Sequence, residues 1–265
     1  MSSLPMFEPI ADLGKARILI ANDDGIDAPG IKVLERIARS LSKDVWVVAP
    51  SSEQSAVAHS LTVRRPLRIQ SHGRRRFAVD GTPTDSVLLG VRQILKDKRP
   101  DLVLSGINRG CNMGDDVTYS GTVAAAMEGT LLGIPSIALS QQLTGDDPVK
   151  WSTAEDWAAE IIRQVSSVGW PRNVLINVNF PDLPAHLVTG VEIVRQGKRK
   201  IGDELTERID PRGKPYYWVG GQRTEELGVP GTDLEAVQRG KVAVTPLCVD
   251  FTSFEAMDRL ATVFQ

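Results

Sequence analysis

Apolar residues along the chain fall into short unbroken runs, separated by stretches in which they recur every three or four positions. The runs RILIAN (17 to 22), DVWVVAP (44 to 50), DLVLSG (101 to 106), PSIALS (135 to 140) and NVLINVNF (173 to 180) read as strands covered on both faces. Between them, GIKVLERIARSL, DSVLLGVRQIL, SGTVAAAMEGTLLG (120 to 133) and the segment from 153 to 166 carry helical spacing. This alternation predicts a doubly wound α/β domain on a mainly parallel sheet. Ligands of such sheets bind beyond the carboxyl ends of the strands, so NDDG, APSSEQS and SGIN should share one rim.

Two stretches break the alternation. Residues 61 to 80 read as a β-hairpin or a pair of short strands around Ser71, His72 and Gly73. Residues 190 to 250 read as strand and loop with too few periodic apolar positions to own a core. The chain therefore divides into a leader (1–16), a catalytic domain (17–189) and a C-terminal extension (190–265) that serves subunit contacts, its last helix packing back.

Composition narrows the function classes. A chain of 265 residues can bury a large core. With 31 Lys and Arg against 33 Asp and Glu, the net charge of −2 draws it to neither nucleic acid nor membrane. Cys111 and Cys248 form no CxxC pair or disulfide ladder, which fits a reducing compartment, and a cytoplasmic location is the expectation. The start MSSLPMFEPIADLGKA lacks the basic and apolar regions of a signal peptide, and no run approaches the ~20 apolar residues of a membrane span.

The chemistry begins at NDDG. A dinucleotide-binding turn would need G-x-G-x-x-G there, and the adjacent carboxylates of Asp23 and Asp24 would repel a pyrophosphate. They suit a hard divalent cation instead. One Asp capping the turn while the other is solvated is the plainer alternative. The neighbouring rim loops add Ser51, Ser52, Ser55 and Asn108, and the only nearby imidazole is His59. An oxygen-only set argues against zinc and for magnesium or manganese, with calcium as another occupant. Further on, Tyr119, Ser120, Gly121 and Thr122 lead into an alanine-rich helix, whose free N–H groups, close-approach glycine and two hydroxyls make an anion seat. Simple N-capping by Ser120 or Thr122 would account for those residues too. A cation and a phosphate on one rim suggest metal-assisted phosphoester hydrolysis by a metal-activated water. An aspartyl-phosphate route is best known with carboxylates one residue apart, and here they are adjacent.

Other motifs have structural readings. In GTPTDSV, Thr82 as N-cap, Pro83 at the first helical position and Asp85 at the third form a capping-box start. Arginines 64, 65, 68, 74, 75 and 76 lack the interleaved aromatics that stack on bases, so they read as a solvated hairpin face. Asp115 and Asp116 either structure the Gly-rich loop or stand behind the ligands, Arg109 is a candidate for balancing substrate charge, and Tyr216, Tyr217 and Trp218 read as packing within the extension.

Taken together, ILIANDDGIDAPGI, VVAPSSEQSAVAHSLT, VDGTPTDSV, LVLSGINRGCNMGDDVTYSGTVAAAMEG, DPRGKPYYWVGG and GTDLEAVQRGKVAVTPL resemble the SurE family, stationary-phase survival proteins with 5'/3'-nucleotidase activity. The resemblance covers nearly all of the chain after the leader. It implies a Rossmann-like domain with an extension exchanged between subunits of a homodimer or homotetramer. It also implies a divalent-metal phosphatase acting on nucleoside 5'-monophosphates, on 3'-monophosphates and on short polyphosphate. On this resemblance one cation per subunit is held by Asp23, Asp24, Ser55 and Asn108, with the two acids as the catalytic pair. Phosphate is held by Asn112, Ser120, Gly121 and Thr122, and His59 faces the same pocket as a candidate acid or base. The chain departs from the family pattern in the serine loop, where Ala56 stands in place of a frequent Gly. The rival readings are a nucleotide- or metal-binding module that does not cleave, and a different enzyme on the same fold, such as a sugar-nucleotide transferase.

Overall fold

A computed structural model describes residues 5–145, 148–202, 205–220 and 223–263. Its centre is a nine-stranded sheet built from β1 (Arg17–Ala21), β2 (Asp44–Pro50), β3 (Ile69–Ser71), β4 (Arg76–Val79), β5 (Leu102–Arg109), β6 (Ser136–Gln141), β7 (Val174–Phe180), β8 (Val191–Ile193) and β13 (Val242–Cys248). The strand order is β3-β4-β2-β1-β5-β6-β7-β13-β8. β4, β2, β1, β5, β6 and β7 run parallel, as the unbroken apolar runs require. β3 is antiparallel to β4 and completes the expected hairpin.

Helices cover both faces. α1 (Pro29–Leu41) and α4 (Trp151–Ser166) pack together over one face, in a core with Ile18, Ile20, Leu102, Leu104 and Phe180. α2 (Pro83–Leu89) and α3 (Gly121–Leu131) cover the other, over Leu19, Ala21, Val48 and Val103. Alternate residues of β1 thus enter opposite cores, the period-two consequence of a strand buried on both sides. The start of α2 is the expected capping box: the Thr82 hydroxyl accepts from the Asp85 N–H, and the Asp85 carboxylate accepts from the Thr82 N–H. α2 continues through Gly90 into a π-helical turn, Gly90–Ile94, so the helical pattern from 85 to 95 becomes two winding types.

The segment after 190 is more divided than its sequence suggests. β13 lies antiparallel to β7, and β8 lies parallel to β13, so both extend the main sheet. α5 (Asp233–Gln238) buries Leu234, Ala236 and Val237 beneath them. What protrudes is a pair of two-stranded ribbons: β9 (Arg199–Ile201) with β12 (Arg223–Glu225), and β10 (Leu205–Ile209) with β11 (Pro215–Val219). The last helix, α6 (Phe254–Ala261), does not pack back within this chain. Every residue from Phe251 to Val263 is exposed. Its apolar side, Phe254, Met257 and Leu260, is covered by none of the described residues.

The leader is docked from Pro5 onward. Phe7 is buried edge-on against Trp170 at 5.9 Å, and its N–H donates to the Trp170 carbonyl at 2.8 Å. The Arg172 N–H donates to the Pro5 carbonyl at 2.9 Å, pinning Pro5 near the amino end of β7.

Candidate active site

The rim loops are joined by their backbones before any side chain contributes. The Ile26 N–H donates to the Pro50 carbonyl at 2.8 Å, and the Gln54 N–H donates to the Asp23 carbonyl at 2.8 Å. Buried Asn22 closes the NDDG turn by donating from Nδ2 to the Gly25 carbonyl at 2.9 Å. The acids after β1 and the serines after β2 are therefore held as one surface.

Asp23 is almost fully buried, at 6 % exposure. The Thr122 hydroxyl donates to its Oδ1 at 2.6 Å. Burial pushes the carboxyl up to about 7; the Thr122 bond opposes this, and the charge of Asp24 adds to the rise. The pKa of Asp24 is raised as well, first by burial and then by Glu53, against the backbone N–H and charge of Arg109. Among the described residues Arg109 is the cation that acts on the ionised pair, through Asp24.

Ser55 and Asn108 stand beside the acids along a cleft of about 410 Å³ that also meets Glu53, Arg109, Asn112, Asp116, Tyr119 and Ser120. Asn108 reaches it through an irregularity in β5: pairing with β6 shifts register between Ser105 and Asn108. Gly106 allows that shift. Its φ is +130°, and a Cβ there would stand 2.3 Å from the Leu139 carbonyl oxygen. Asn108 Nδ2 donates to the Gly110 carbonyl at 2.8 Å, which leaves Oδ1 to accept or ligate. The Ser55 hydroxyl donates to Glu53 Oε1 at 2.7 Å, leaving its lone pairs for another partner.

The donor set suits a hard cation. Among the described residues no three His, Cys, Asp or Glu side chains are grouped to hold a metal by themselves. A cation would thus draw on Asp23, Asp24 and the neutral oxygens of Ser55 and Asn108, a mixture typical of magnesium, manganese and calcium.

The anion-side residues separate. Ser120 caps α3, its Oγ accepting from the Val123 N–H at 3.1 Å, and it lies on the cleft wall. Thr122 is fully buried beneath Asp23, its hydroxyl committed to the carboxylate. Gly121 is packed against the same acid: a Cβ there would stand 2.6 Å from the Asp23 Cβ. Both residues, expected at the phosphate, pack against the acid, and the Thr122 hydroxyl holds its carboxylate in place.

Asn112 is the most firmly fixed of the candidates. Its carbonyl accepts from Asn177 Nδ2 at 2.8 Å and Asn179 Nδ2 at 3.0 Å, and its N–H donates to Asn179 Oδ1 at 2.9 Å. Its own Nδ2 donates to Ser140 Oγ at 2.8 Å. The sequence reading overlooked Asn177, Asn179 and Ser140. Two asparagines alternating along an otherwise apolar strand were the available signal. It also left open Asp116, which forms a buried ion pair with Arg199 at 2.9 Å and so anchors β9 to the loop below the cleft. Glu53, a further acid on the cleft, was missed as well.

His59 is placed elsewhere. Its Nε2 lies 3.0 Å from Glu128 Oε2 on α3, and its side chain lines a neighbouring cavity rather than the acid cleft. The loop that carries it has Ala56 at φ +57° and Ala58 at φ +53°. A left-handed alanine costs about 1–2 kcal/mol, which accounts for the frequent Gly of the family pattern at position 56. The arginine-rich hairpin is largely internally paired, Arg65 with Asp80, Arg75 with Asp44 and Arg76 with Glu35.

A doubly wound α/β chain with an acid pair at the end of β1, facing a capped helix N-terminus, has the make-up of an enzyme that handles anionic substrates. Comparison with known proteins fixes the family. The sequence profile described as "Survival protein SurE" matches residues 18–203, and the chain belongs to the SurE family. It is 68% identical over 258 residues to the 5'-nucleotidase SurE of Paramagnetospirillum magneticum, spanning 97% of this chain and 99% of that one. With the 5'-nucleotidase SurE of Rhodospirillum rubrum it shares 54% identity over 264 residues, 98% and 100% of the two chains. The crystal structure of SurE protein from Aquifex aeolicus superposes with a TM-score of 0.82 at 42% identity, covering 94% of this chain and all of that one.

Proposed function

We propose that this chain is a divalent-metal-dependent nucleotidase that releases phosphate from nucleoside 5'-monophosphates, and in the same cleft from 3'-monophosphates and short polyphosphate. The observation that carries the reading is the buried acid pair. Asp23 and Asp24 are desolvated side by side next to the capped N-terminus of α3, with Arg109 as a cationic partner of Asp24, and a bound divalent cation would favour the ionised form of both. The names of the relatives supply the substrate class.

Asp23, Asp24, Ser55 and Asn108 would hold the cation. When bound, magnesium or manganese polarises the phosphoryl oxygen and lowers the pKa of water into the neutral range. The chain's own residues do the positioning. Thr122 and Gly121 fix the Asp23 carboxylate from below. The Ser120 Oγ accepts its capping bond, so its O–H is free to donate to a phosphate oxygen, beside the Gly121 N–H that opens α3. Asn112 has a second Nδ2 hydrogen to offer, and Arg109 brings positive charge to the cleft. The burial of Asp23, with Oδ1 already bonded, disfavours its attack on phosphorus and supports attack by water.

The test is phosphate release from a panel of nucleoside 5'- and 3'-monophosphates, polyphosphate and an aryl phosphate, with EDTA and then with Mg²⁺, Mn²⁺ or Ca²⁺ restored. Metal-restored release, strongest for nucleotides and needing no acceptor, is the expected result. No turnover with any metal would leave a binding module, and release only with an acceptor present would indicate a transferase.

The reading extends to a cytoplasmic homodimer or homotetramer. In support, the outer ribbon exposes Leu205, Ile209, Tyr217 and Trp218, and α6 exposes Phe254, Met257 and Leu260, apolar surfaces of the kind that subunit contacts cover. No helix among the described residues is long and apolar enough to cross a membrane. Sedimentation as a single chain at micromolar concentration would overturn the oligomer.

A further inference from the structure

Beside the acid cleft lies a second cavity of about 470 Å³, and Ser120 stands on the wall of both. The two differ in chemistry. The first is lined by carboxylates, amides and Arg109. The second has an apolar floor of Val123, Met127 and Leu247, with the exposed Phe251 at its edge. Polar groups converge at its edge: His59, oriented by Glu128 at 3.0 Å, together with Thr118, Arg195 and Gln196. An apolar hollow with a few placed hydrogen-bonding groups is the usual make-up of a site for a flat heterocycle.

We propose that this cavity receives the nucleoside part of the substrate while the phosphate lies beyond Ser120 at Asp23 and Asp24. The assignment rests on the nucleotidase reading above and deepens it. The base lies against Met127 and Leu247. Gln196 offers both a donor and an acceptor to a base edge, and His59 and Thr118 face the ribose hydroxyls. Adjacency argues for this occupant. A nucleotide has one strongly anionic end and one apolar end joined by a short polar sugar, and the two cavities, which share Ser120 as a wall, repeat that order. It also gives His59 a place, as a positioning residue for the sugar, outside the acid cleft.

The test fills the cavity from its mouth. Cys248 lies on the lining, at an exposed position at the end of β13, where a larger side chain can be carried without rebuilding the core. For Cys248→Trp, the ratio of kcat/KM for nucleoside 5'-monophosphates to kcat/KM for glycerol phosphate, which has no base, should fall at least tenfold. The loss should appear in KM. Met127→Ala, which enlarges the floor, should lower the same ratio and widen tolerance among bases. His59→Ala should raise KM for ribonucleotides more than for 2'-deoxyribonucleotides. If Cys248→Trp shifts both substrates equally, or neither, the assignment is wrong. Binding of a nucleoside 5'-monophosphate under EDTA, read by calorimetry on folded wild-type and Cys248→Trp protein, separates the two readings. An enzyme that cleaves nothing yet loses nucleotide affinity in Cys248→Trp keeps the cavity and discards the catalysis; equal affinity in both discards the cavity.

Discussion

The sheet carries aspartates at both ends of its strands, and the two ends treat them oppositely. At the amino end, Asp44 opens β2 with Arg17 Nε at 2.8 Å, Arg75 Nη1 at 3.2 Å and the Trp46 indole N–H donating at 2.8 Å. Both guanidiniums also lie over the Trp46 ring, at 5.6 and 5.2 Å. Burial alone would raise the Asp44 carboxyl, but the bonds from Arg17 and Trp46 and the two positive charges outweigh it and hold the pKa below its usual value. At the carboxyl end, Asp23 is more deeply buried, receives one hydroxyl bond, faces a second acid and is pushed up to about 7. The fold completes the electrostatics of one end within a single chain and leaves the other end short of positive charge. That shortfall marks the functional end.

The largest effect expected from breaking this contrast is at Asp23. Asp23→Asn should lower turnover at least ~10³-fold in saturating Mg²⁺, because the cation's contribution to the transition state is several kcal/mol. Its melting temperature in EDTA should not fall, since the amide still accepts from Thr122 and carries no charge to desolvate. Wild-type turnover with metal bound, or a collapsed fold, would remove the basis for calling this end functional. Next comes Gly121→Ala. Its methyl meets the Asp23 Cβ, and displacing the acid by a fraction of an ångström should cost about 10²-fold in kcat at nearly unchanged nucleotide affinity. Steady-state kinetics of this variant with a magnesium titration would show whether the loss can be rescued by metal, which a displaced ligand resists.

The sequence made the local part of this contrast legible. Strand runs, the NDDG end of β1, the capping box at Thr82 and the helix start at Ser120 are signals written within a few residues. What it hid depends on distant partners. Thr122 looked like a phosphate contact because nothing local shows that α3 sets its hydroxyl under Asp23, 99 positions earlier. Asn177 and Asn179 looked like strand residues until β7 came to lie beside the Asn112 loop. The run VAVTPL was read into an extension because antiparallel pairing with β7 has no sequence signature of its own. Asp44 and Arg17 likewise declare their pairing only when β1 and β2 are in register.

A smaller effect is expected at the amino end. Asp44→Asn keeps the shape but removes the charge between two guanidiniums that remain partly solvated, so stability should fall by about 1 kcal/mol. Urea midpoints measure that loss. Turnover of the folded enzyme should stay at the wild-type value, because no Asp44 contact reaches the cleft. A catalytic defect here would mean that the two ends are coupled through the strands.

The finest test uses pH, where the two aspartates should tilt stability in opposite directions. In EDTA, folded Asp23 keeps its proton up to about pH 7, while the unfolded chain releases it near pH 4. Between those values the folded state binds more protons, so its stability should fall as pH rises, by at most about 1.4 kcal/mol per pH unit. Asp24 contributes in the same direction. Asp44 has the reverse sign: its depressed pKa stabilises the fold above the ordinary carboxylate range, and that stability is lost as pH falls through the folded value. Urea midpoints in EDTA from pH 3 to 8 would resolve the two slopes. Asp23→Asn should flatten the neutral one and Asp44→Asn the acid one. Saturating Mg²⁺ should abolish the neutral slope alone, because a cation keeps the acid pair ionised in the fold. If Asp23→Asn leaves the neutral slope unchanged, the buried acid is not the group that titrates, and its deficit of positive charge cannot be what distinguishes the functional end.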